Sequence, residues 1–269
     1  MRKVKNTFFF WLLCVSSLLA QSNDSATTSD SARPKTSSEV RNSLLGEFFA
    51  VSDTGGGIRL FWVTIARQLQ HMPPRDLKTG SPTKVELTQN DTKLYAIEFL
   101  MANYNEDLVR QANEWYVRPE TVRLFSLLSS PYFGYQDYIA NYKLAPSSKL
   151  RRELILRLSG ALCTIQQTKA LFELNGLTIG TVTSKLPVSI IESNTSALYD
   201  VQQWELQESA ILRLSFCFRD ISDAELESLV TNVELPIGQW ATAYSRGAML
   251  DSISRSIQDI RYRLTTGSH

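Results

Sequence analysis

The stretch ISDAELESLVTNVELPIGQW at residues 221–240 decides the fold class, because it contains the start of one helix and its junction with the next. Ser222, followed three residues later by Glu225, has the spacing of a capping box, in which two side chains bond backbone N–H groups at a helix start. Asp223 adds a negative charge beside the positive end of that helix. Spacings of three and four residues then predict one apolar helix face, formed by Leu226, Leu229, Val230 and Val233.

A second helix is predicted to begin at Pro236, whose missing N–H and fixed φ suit the first helical turn. Gly238 allows another helix to approach closely, and Trp240 fills a large apolar volume near that approach. The hypothesis is that these residues serve packing, and a ligand site is the alternative. Helical spacing then continues to about residue 264 through Tyr244, Ala248, Ile253, Ile257 and Ile260.

Helical spacing recurs along the rest of the chain, and no segment alternates apolar and polar residues as a strand would. A turn is predicted at Gly55–Gly57, and a long helix from Leu150 is predicted to stop at Asn175-Gly176. The next helix is predicted from about Leu198, and it carries Val201, Trp204, Leu206, Ile211, Leu214, Phe216 and Phe218. The predicted fold class is therefore all-α, a helical bundle.

The sequence also resembles itself. Ser37–Arg41 recurs as Ser147–Arg151 at an offset of 110, and a second set of matches has an offset of 117, pairing Val109, Ala112, Tyr116 and Pro119 with Leu226, Leu229, Val233 and Pro236. One loop insertion accounts for the difference between the offsets. We therefore expect two related helical repeats, residues 38–145 and 146–265, that share one core. Chance similarity between amphipathic helices is the alternative.

Residues 1–20 have the pattern of an export signal. A basic start at residues 2–5 precedes an apolar run over residues 8–19, and a polar stretch follows Ala20. The run is shorter than the roughly 20 apolar residues that a spanning helix needs, although an uncleaved anchor is the alternative. Residues 21–37 are polar and predict a flexible linker. We expect a periplasmic or secreted protein with no integral membrane span after cleavage.

Composition and charge exclude several classes of protein. The chain has 28 Lys and Arg against 27 Asp and Glu, and 43% of its residues are hydrophobic. These values exclude a collagen-like chain, a fully disordered chain and a polytopic membrane protein. Removal of residues 1–20 takes away three basic residues and no acidic ones, which leaves 25 basic and 27 acidic residues and a net charge of −2. We therefore expect no nucleic-acid partner.

The cysteine and histidine content predicts a disulfide and no metal site. Cys163 and Cys217 remain after removal of residues 1–20, and an even pair in an oxidising compartment favours a disulfide. Two buried thiols that are not bonded are the alternative. His71 and His269 are the only histidines, so a metal site built on several His or Cys ligands is not expected, and no cofactor is expected.

Ile221–Leu226 followed by Leu235–Trp240 resembles the signature of an uncharacterised family of exported proteobacterial proteins, known only as a domain of unknown function. That signature is an acidic helix start, then a Pro-x-Gly element with a bulky residue, then a long C-terminal helix. Trp115–Pro119 resembles a second, degraded copy. The resemblance covers residues 147–264 well and 38–145 loosely. It implies an all-helical periplasmic protein and no particular activity.

Three groups of residues are candidates for a functional role. The aromatic segment 132–142 is the strongest candidate for a ligand or partner surface, with packing as the alternative; its rings are Tyr132, Phe133, Tyr135, Tyr138 and Tyr142. Arg118 beside Trp115 suits an anion or a stacked aromatic ring, with a surface ion pair as the alternative. Asp223 and Glu225 suit acid–base chemistry or calcium, with helix capping as the favoured interpretation.

The expected function is that of a non-enzymatic binding or interaction protein for an envelope partner or an apolar ligand. An export signal, a helical body rich in aromatic residues and the lack of a recognisable catalytic motif favour it. One alternative is an envelope hydrolase that uses Asp223 and Glu225. The other alternative is a structural subunit of an envelope complex.

Overall fold

The computed structural model describes residues 36–52, 54–69, 89–129, 133–144, 147–184 and 186–266, and no strand occurs within these ranges. The prediction of an all-α helical bundle is confirmed. Helices follow one another in this part of the chain as α1 Ser37–Val51, α2 Thr54–Leu69, α3 Gln89–Ala102, α4 Glu106–Tyr116, α5 Pro119–Leu128, α6 Tyr135–Leu144, α7 Lys149–Ala161, α8 Thr164–Thr183, α9 Val188–Cys217, α10 Asp223–Glu234 and α11 Pro236–Thr266. The expected export signal, nearly all of the expected linker, Tyr132, His71 and His269 lie outside the described residues.

Side-chain caps fix several of the helix starts. The Thr36 hydroxyl accepts a hydrogen bond from the Glu39 N–H, and the Glu39 carboxylate accepts one from the Thr36 N–H at 2.6 Å, so α1 begins with a complete capping box. Asn105, Ser148 and Ser222 accept the N–H three positions further on at the starts of α4, α7 and α10. Each cap satisfies a donor that the helix leaves without a partner, which is worth about 1 kcal/mol.

The turn predicted at Gly55–Gly57 is wrong, because these glycines lie inside the first turn of α2. Tertiary packing accounts for the difference. An ideal Cβ at Gly57 would lie 2.7 Å from the Met249 Sδ atom of α11, and one at Gly55 would lie 2.9 Å from the Phe49 ring. Glycine at these positions lets α2 approach its neighbours, and this close approach overrides the low helix propensity of glycine.

The boundaries predicted between residues 150 and 198 are also wrong. The first helix ends at Ala161, and the chain turns at Cys163, a residue in the left-handed region with φ of 49°. α8 then continues through Asn175-Gly176 to Thr183, and α9 begins at Val188 rather than at Leu198. An Asn-Gly pair ends many isolated helices, but here the contacts of α8 with α9 hold it in helical form.

Glycines also set the distance between α8 and α9. An ideal Cβ at Gly176 would lie 2.5 Å from Cγ2 of Thr195, and one at Gly180 would lie 2.5 Å from Cγ2 of Ile191. The residue numbers rise on one helix as they fall on the other, so the two helices run antiparallel with a single register. The four-residue spacing of the glycines places both on the helix face that meets α9.

This register explains why the expected disulfide between Cys163 and Cys217 is not formed; both residues are thiols in the structure. The ring contact between Phe172 and Tyr199, 5.8 Å between centroids, continues the same register. It places Cys163 opposite Glu208, nine residues before Cys217 along α9. Nine helical residues span about 13 Å. A disulfide requires Cα atoms within about 7 Å of each other.

The helices before and after α6 follow the same order of contacts. α1 packs on α4 as α7 packs on α10, and α2 packs on α3 as α8 packs on α9. The last helix of each half packs against the other half: α11 packs against α3 and α4, and α5 packs against α9 and α10. Burial also matches at the offset of 110, where the buried set Leu44, Leu45 and Phe48 corresponds to the buried set Leu154, Ile155 and Leu158. The two related repeats stay a prediction, which this arrangement fits.

Gly180→Ala is expected to lower the free energy of unfolding by about 1–3 kcal/mol, because the new methyl group would overpack the contact with Ile191. Gly160→Ala on α7 is the matched control, since no heavy atom lies within 4 Å of its ideal Cβ. That control is expected to raise the free energy of unfolding by about 0.5–1 kcal/mol. Urea unfolding of both variants measures the difference, and equal effects would contradict the close approach of α8 and α9.

Candidate functional site

Trp115 joins four helices at the centre of the structure. Its side chain is fully buried, and Nε1 donates a hydrogen bond to the Asn232 carbonyl at 3.2 Å. The Asn232 side chain in turn donates to the Thr121 hydroxyl at 2.8 Å. An ideal Cβ at Gly238 would lie 2.7 Å from the Val233 carbonyl oxygen and 3.0 Å from Cζ2 of Trp115. Only glycine therefore lets α11 start beside the indole ring, so Trp115 and Gly238 have packing roles.

Pro236 and Trp240 have packing contacts as well. Pro236 is the first residue of α11. The Trp240 ring, which is half-buried, stacks on Tyr244 with centroids 4.6 Å apart and meets Phe48 at 6.5 Å. The Tyr244 hydroxyl donates to the Leu100 carbonyl, and burial raises the pKa of this hydroxyl above its ordinary value. The geometry favours packing over a ligand site for the Pro-x-Gly-x-Trp element.

The carboxylates at the start of α10 are held in ion pairs. Ser222 caps the helix by accepting the Glu225 N–H at 3.1 Å. Asp223 pairs with Arg151 at 2.5 Å, and Glu225 pairs with Arg123 at 3.1 Å rather than bonding back to the cap. The capping prediction for Ser222 is confirmed, and the guanidinium groups occupy the two carboxylates that the hydrolase alternative requires.

Arg118 and Trp115 do not form a joint site. Arg118 is exposed and immediately precedes Pro119, where α5 begins, and its side chain does not cap that helix. Trp115, by contrast, faces the core. An anion bound at Arg118 would therefore contact the arginine without contacting the indole ring.

The aromatic segment packs mainly against α9. Tyr135 and Tyr138 meet the Phe216 ring edge-on, with centroids 5.2 and 5.3 Å apart. Tyr142 lies beside Tyr138, and burial raises the pKa of the Tyr135 hydroxyl. Phe133 is different, because 86% of it is exposed. The described rings thus fit the packing alternative, except for Phe133.

A group of exposed apolar residues lies on α9. Val201 is 81% exposed and Trp204 is 74% exposed, while Ile190 and Leu198 are each 45% exposed. At 100° per residue, Ile190, Val201 and Trp204 fall within about 60° of one another around the helix, and Leu198 lies at the edge. We call these four residues the α9 apolar stripe. The helix predicted through Val201 and Trp204 is present, and these two residues lie on its exposed side.

The opposite face of α9 explains why the stripe is left open. Ile191, Thr195, Tyr199 and Leu206 are buried toward α8, and the last two form a small apolar cluster with Phe172, apart from the main core. The stripe is absent from the sequence-based prediction, in which the apolar residues of this helix are not divided into faces. A helical projection separates two apolar faces, and that separation is the signal that could have found the stripe.

A narrow crevice between α3 and α11 is a weaker candidate; it is lined by Trp62, Asp91, Ser256, Asp259, Ile260 and Arg263. Its charged groups already have partners. Asp91 pairs with Arg263 at 3.3 Å, and the Tyr95 hydroxyl donates to Asp259, which raises the pKa of that hydroxyl. The crevice therefore presents a satisfied network that joins two helices.

Within the described ranges, no group of three or more His, Cys, Asp and Glu residues is placed to hold a metal ion. Among the helices that the structure describes, none combines the length and apolarity needed to cross a membrane.

Comparisons of the chain with protein-family models, curated proteins and solved structures find no match. The class of protein that the fold defines is an all-α helical bundle.

Trp115→Phe is expected to destabilise the fold by about 1–3 kcal/mol, because it leaves the buried Asn232 carbonyl without the indole donor. Trp204→Phe is the matched control on an exposed tryptophan and is expected to change stability by less than about 0.5 kcal/mol. Thermal and urea unfolding of the two variants provide the comparison. A destabilisation as large for Trp204→Phe as for Trp115→Phe would contradict the assigned exposure.

The pair of Glu234 and Arg157 predicts a pH-dependent contribution to stability. Arg157 donates two hydrogen bonds to the Glu234 carboxylate at 3.0 and 2.6 Å, and these bonds lower the pKa of Glu234 below its ordinary value. A carboxyl whose pKa is lowered by folding adds stability above its unfolded pKa, and this stability is lost as pH falls through the folded pKa. Arg157→Gln is expected to move the pKa of Glu234 back toward 4.5, as measured by carboxyl NMR titration. An unchanged titration would show that Arg157 does not hold this carboxylate in solution.

Proposed function

We propose that the chain is an exported, non-enzymatic binding protein that docks a helix of an envelope partner protein on the α9 apolar stripe. Exposure of Val201 and Trp204 on one helix face is the observation that carries this proposal. Exposed aromatic and aliphatic side chains grouped on one face are typical of surfaces that bind proteins. The basic and apolar start of the sequence supports export to the periplasm or the exterior.

Packing of the opposite side of α9 against α8 keeps the stripe in helical form before a partner binds. The contacts of Gly176 with Thr195 and of Gly180 with Ile191 fix α9 against α8. Because the helix is already formed, binding does not require the ordering of a disordered segment. A partner helix is the occupant that fits, since apolar residues spaced along one helix face match a second helix with the same periodicity.

We also infer that the chain contains two related repeats. Phe99 on α3 and Phe216 on α9 occupy corresponding positions at the offset of 117. Phe99 packs against Gly247 and Tyr244 of the long α11, whereas Phe216 packs against the short α6.

The same geometry bears on the alternatives. A hydrolase acting through Asp223 and Glu225 would have to release both carboxylates from Arg151 and Arg123 before either handled a proton. The α9 stripe is equally suitable for a structural subunit of an envelope complex. Such a subunit differs from a reversible binding protein in the lifetime of its contact with the partner. Binding of an apolar small molecule would instead require concave walls, and the stripe lies on the open face of a helix.

Site-specific crosslinking in the producing cell tests the proposal. A photo-crosslinking amino acid at Trp204 is expected to form a discrete adduct with an envelope protein. Tyr262 is the matched control, because it is also aromatic and 67% exposed but lies on a different helix, α11.

The adduct at position 204 is expected to disappear when Val201→Asp is added, with the circular dichroism of the variant unchanged. The same set of adducts from positions 204 and 262 would overturn the proposal, as would their absence from both. The lifetime of the native contact, measured on the isolated complex, separates a binding protein from a structural subunit.

A further inference from the structure

Carboxylates surround the α9 apolar stripe. At 100° per residue, Asp200 and Glu205 lie on either side of the Val201–Trp204 pair, and Glu208 lies in line with it one turn further on. All three acidic residues are exposed. Residues 188–212 contain four acidic residues and no Lys or Arg. On their own helix, Val201 and Trp204 are therefore flanked only by negative charges.

The carboxylates around the α9 apolar stripe differ in their ion pairing from several others in the described structure. Between described residues, ion pairs link Arg123 to Glu225, Arg157 to Glu234 and Arg255 to Glu98, each across two helices. Over the same described part of the chain, Asp200, Glu205 and Glu208 have no ion-pair partner. The charge around the stripe is thus left for a group from outside the described fold.

We propose that the occupant of the α9 apolar stripe is a cationic amphipathic helix of the partner, with Lys or Arg on both sides of an apolar face. This inference rests on the proposed function and specifies the chemistry of the partner. Trp204 and Val201 contact the apolar face, and the flanking cations meet Asp200, Glu205 and Glu208. From Ile190 to Glu208 the surface extends about 27 Å along the helix axis, which matches five turns of a partner helix.

The negative charge around the stripe favours a cationic helix over two other occupants, a second copy of the chain and an anionic bilayer. A second copy of the chain placed stripe to stripe would bring these carboxylates close to one another, and like charges at such distances repel. A bilayer of anionic lipids would be repelled in the same way. A helix with cations on both flanks of its apolar face turns the same charges into attraction.

Two synthetic 18-residue helical peptides test the proposal with the purified protein. Both have the same Leu and Ala apolar face, and the polar face contains Lys in one peptide and Glu in the other. Calorimetry at low and moderate salt is expected to show binding of the Lys peptide that weakens as salt rises, because screening acts on exposed charges. The Glu peptide is expected to bind at least about tenfold more weakly.

Variants of the protein locate the interaction. The triple variant D200N/E205Q/E208Q is expected to bind the Lys peptide about tenfold more weakly and with less salt dependence. The triple variant E47Q/E114Q/E153Q removes three exposed carboxylates from other helices and is expected to leave the Kd within about twofold. Trp204→Ser is expected to abolish measurable binding while the circular dichroism stays unchanged.

The outcomes separate this inference from the proposed function. Equal binding of the two peptides, lost in Trp204→Ser, would overturn the cationic partner and leave the α9 stripe as a docking surface. Equal loss of binding in both triple variants would show non-specific attraction to acidic surface and would also overturn the inference. Dimers of the protein that Val201→Ser abolishes, or adsorption to phosphatidylcholine vesicles that excludes the Lys peptide, would assign the stripe to a different occupant.

Discussion

The hydrogen bond from the buried Trp115 indole to the Asn232 carbonyl is the contact on which the arrangement of the helices depends. It connects the end of α4 to the end of α10, and Gly238 lets α11 start in contact with the same ring. A smaller residue at position 115 would leave a cavity, and a larger residue at position 238 would displace α11. Because α11 covers α2, α3 and α4, any shift at this junction moves the long helix that holds the first half together.

Local sequence signals predicted the elements that begin with a cap or a proline. Ser222 caps α10 and Pro236 opens α11 as expected, because these effects depend on residues only a few positions apart. The stop expected at Asn175-Gly176 failed, since the glycine there serves contact with Thr195 on another helix. Glycine has two opposite roles, ending a helix or allowing another helix to approach. Spacing along one segment cannot distinguish them when the partner helix is unknown.

The candidate site could not be predicted in full for the same reason, because sequence spacing does not show which helices pack together. Periodicity predicted a helix through Val201 and Trp204, but not which side of that helix faces the core. The aromatic segment that contains Tyr135 and Tyr138 is a candidate surface by composition, but in the fold both rings pack on Phe216. Burial depends on contacts between residues far apart in sequence, and composition gives no information about those contacts. α9 has apolar residues on two faces, and α8 covers one of them.

An exposed apolar face also carries a risk of self-association, and the placement of the carboxylates bears on that risk. Asp200 and Glu205 flank Val201 and Trp204, so two copies that approach through this face bring negative charges together before the apolar residues meet. In the proposed complex, the same carboxylates would raise the rate of encounter with a cationic partner. Charge at the edge of the stripe would then select the partner, while the apolar residues would supply most of the free energy of binding. Because α8 packs along α9, this proposed selection would act on a preformed helix.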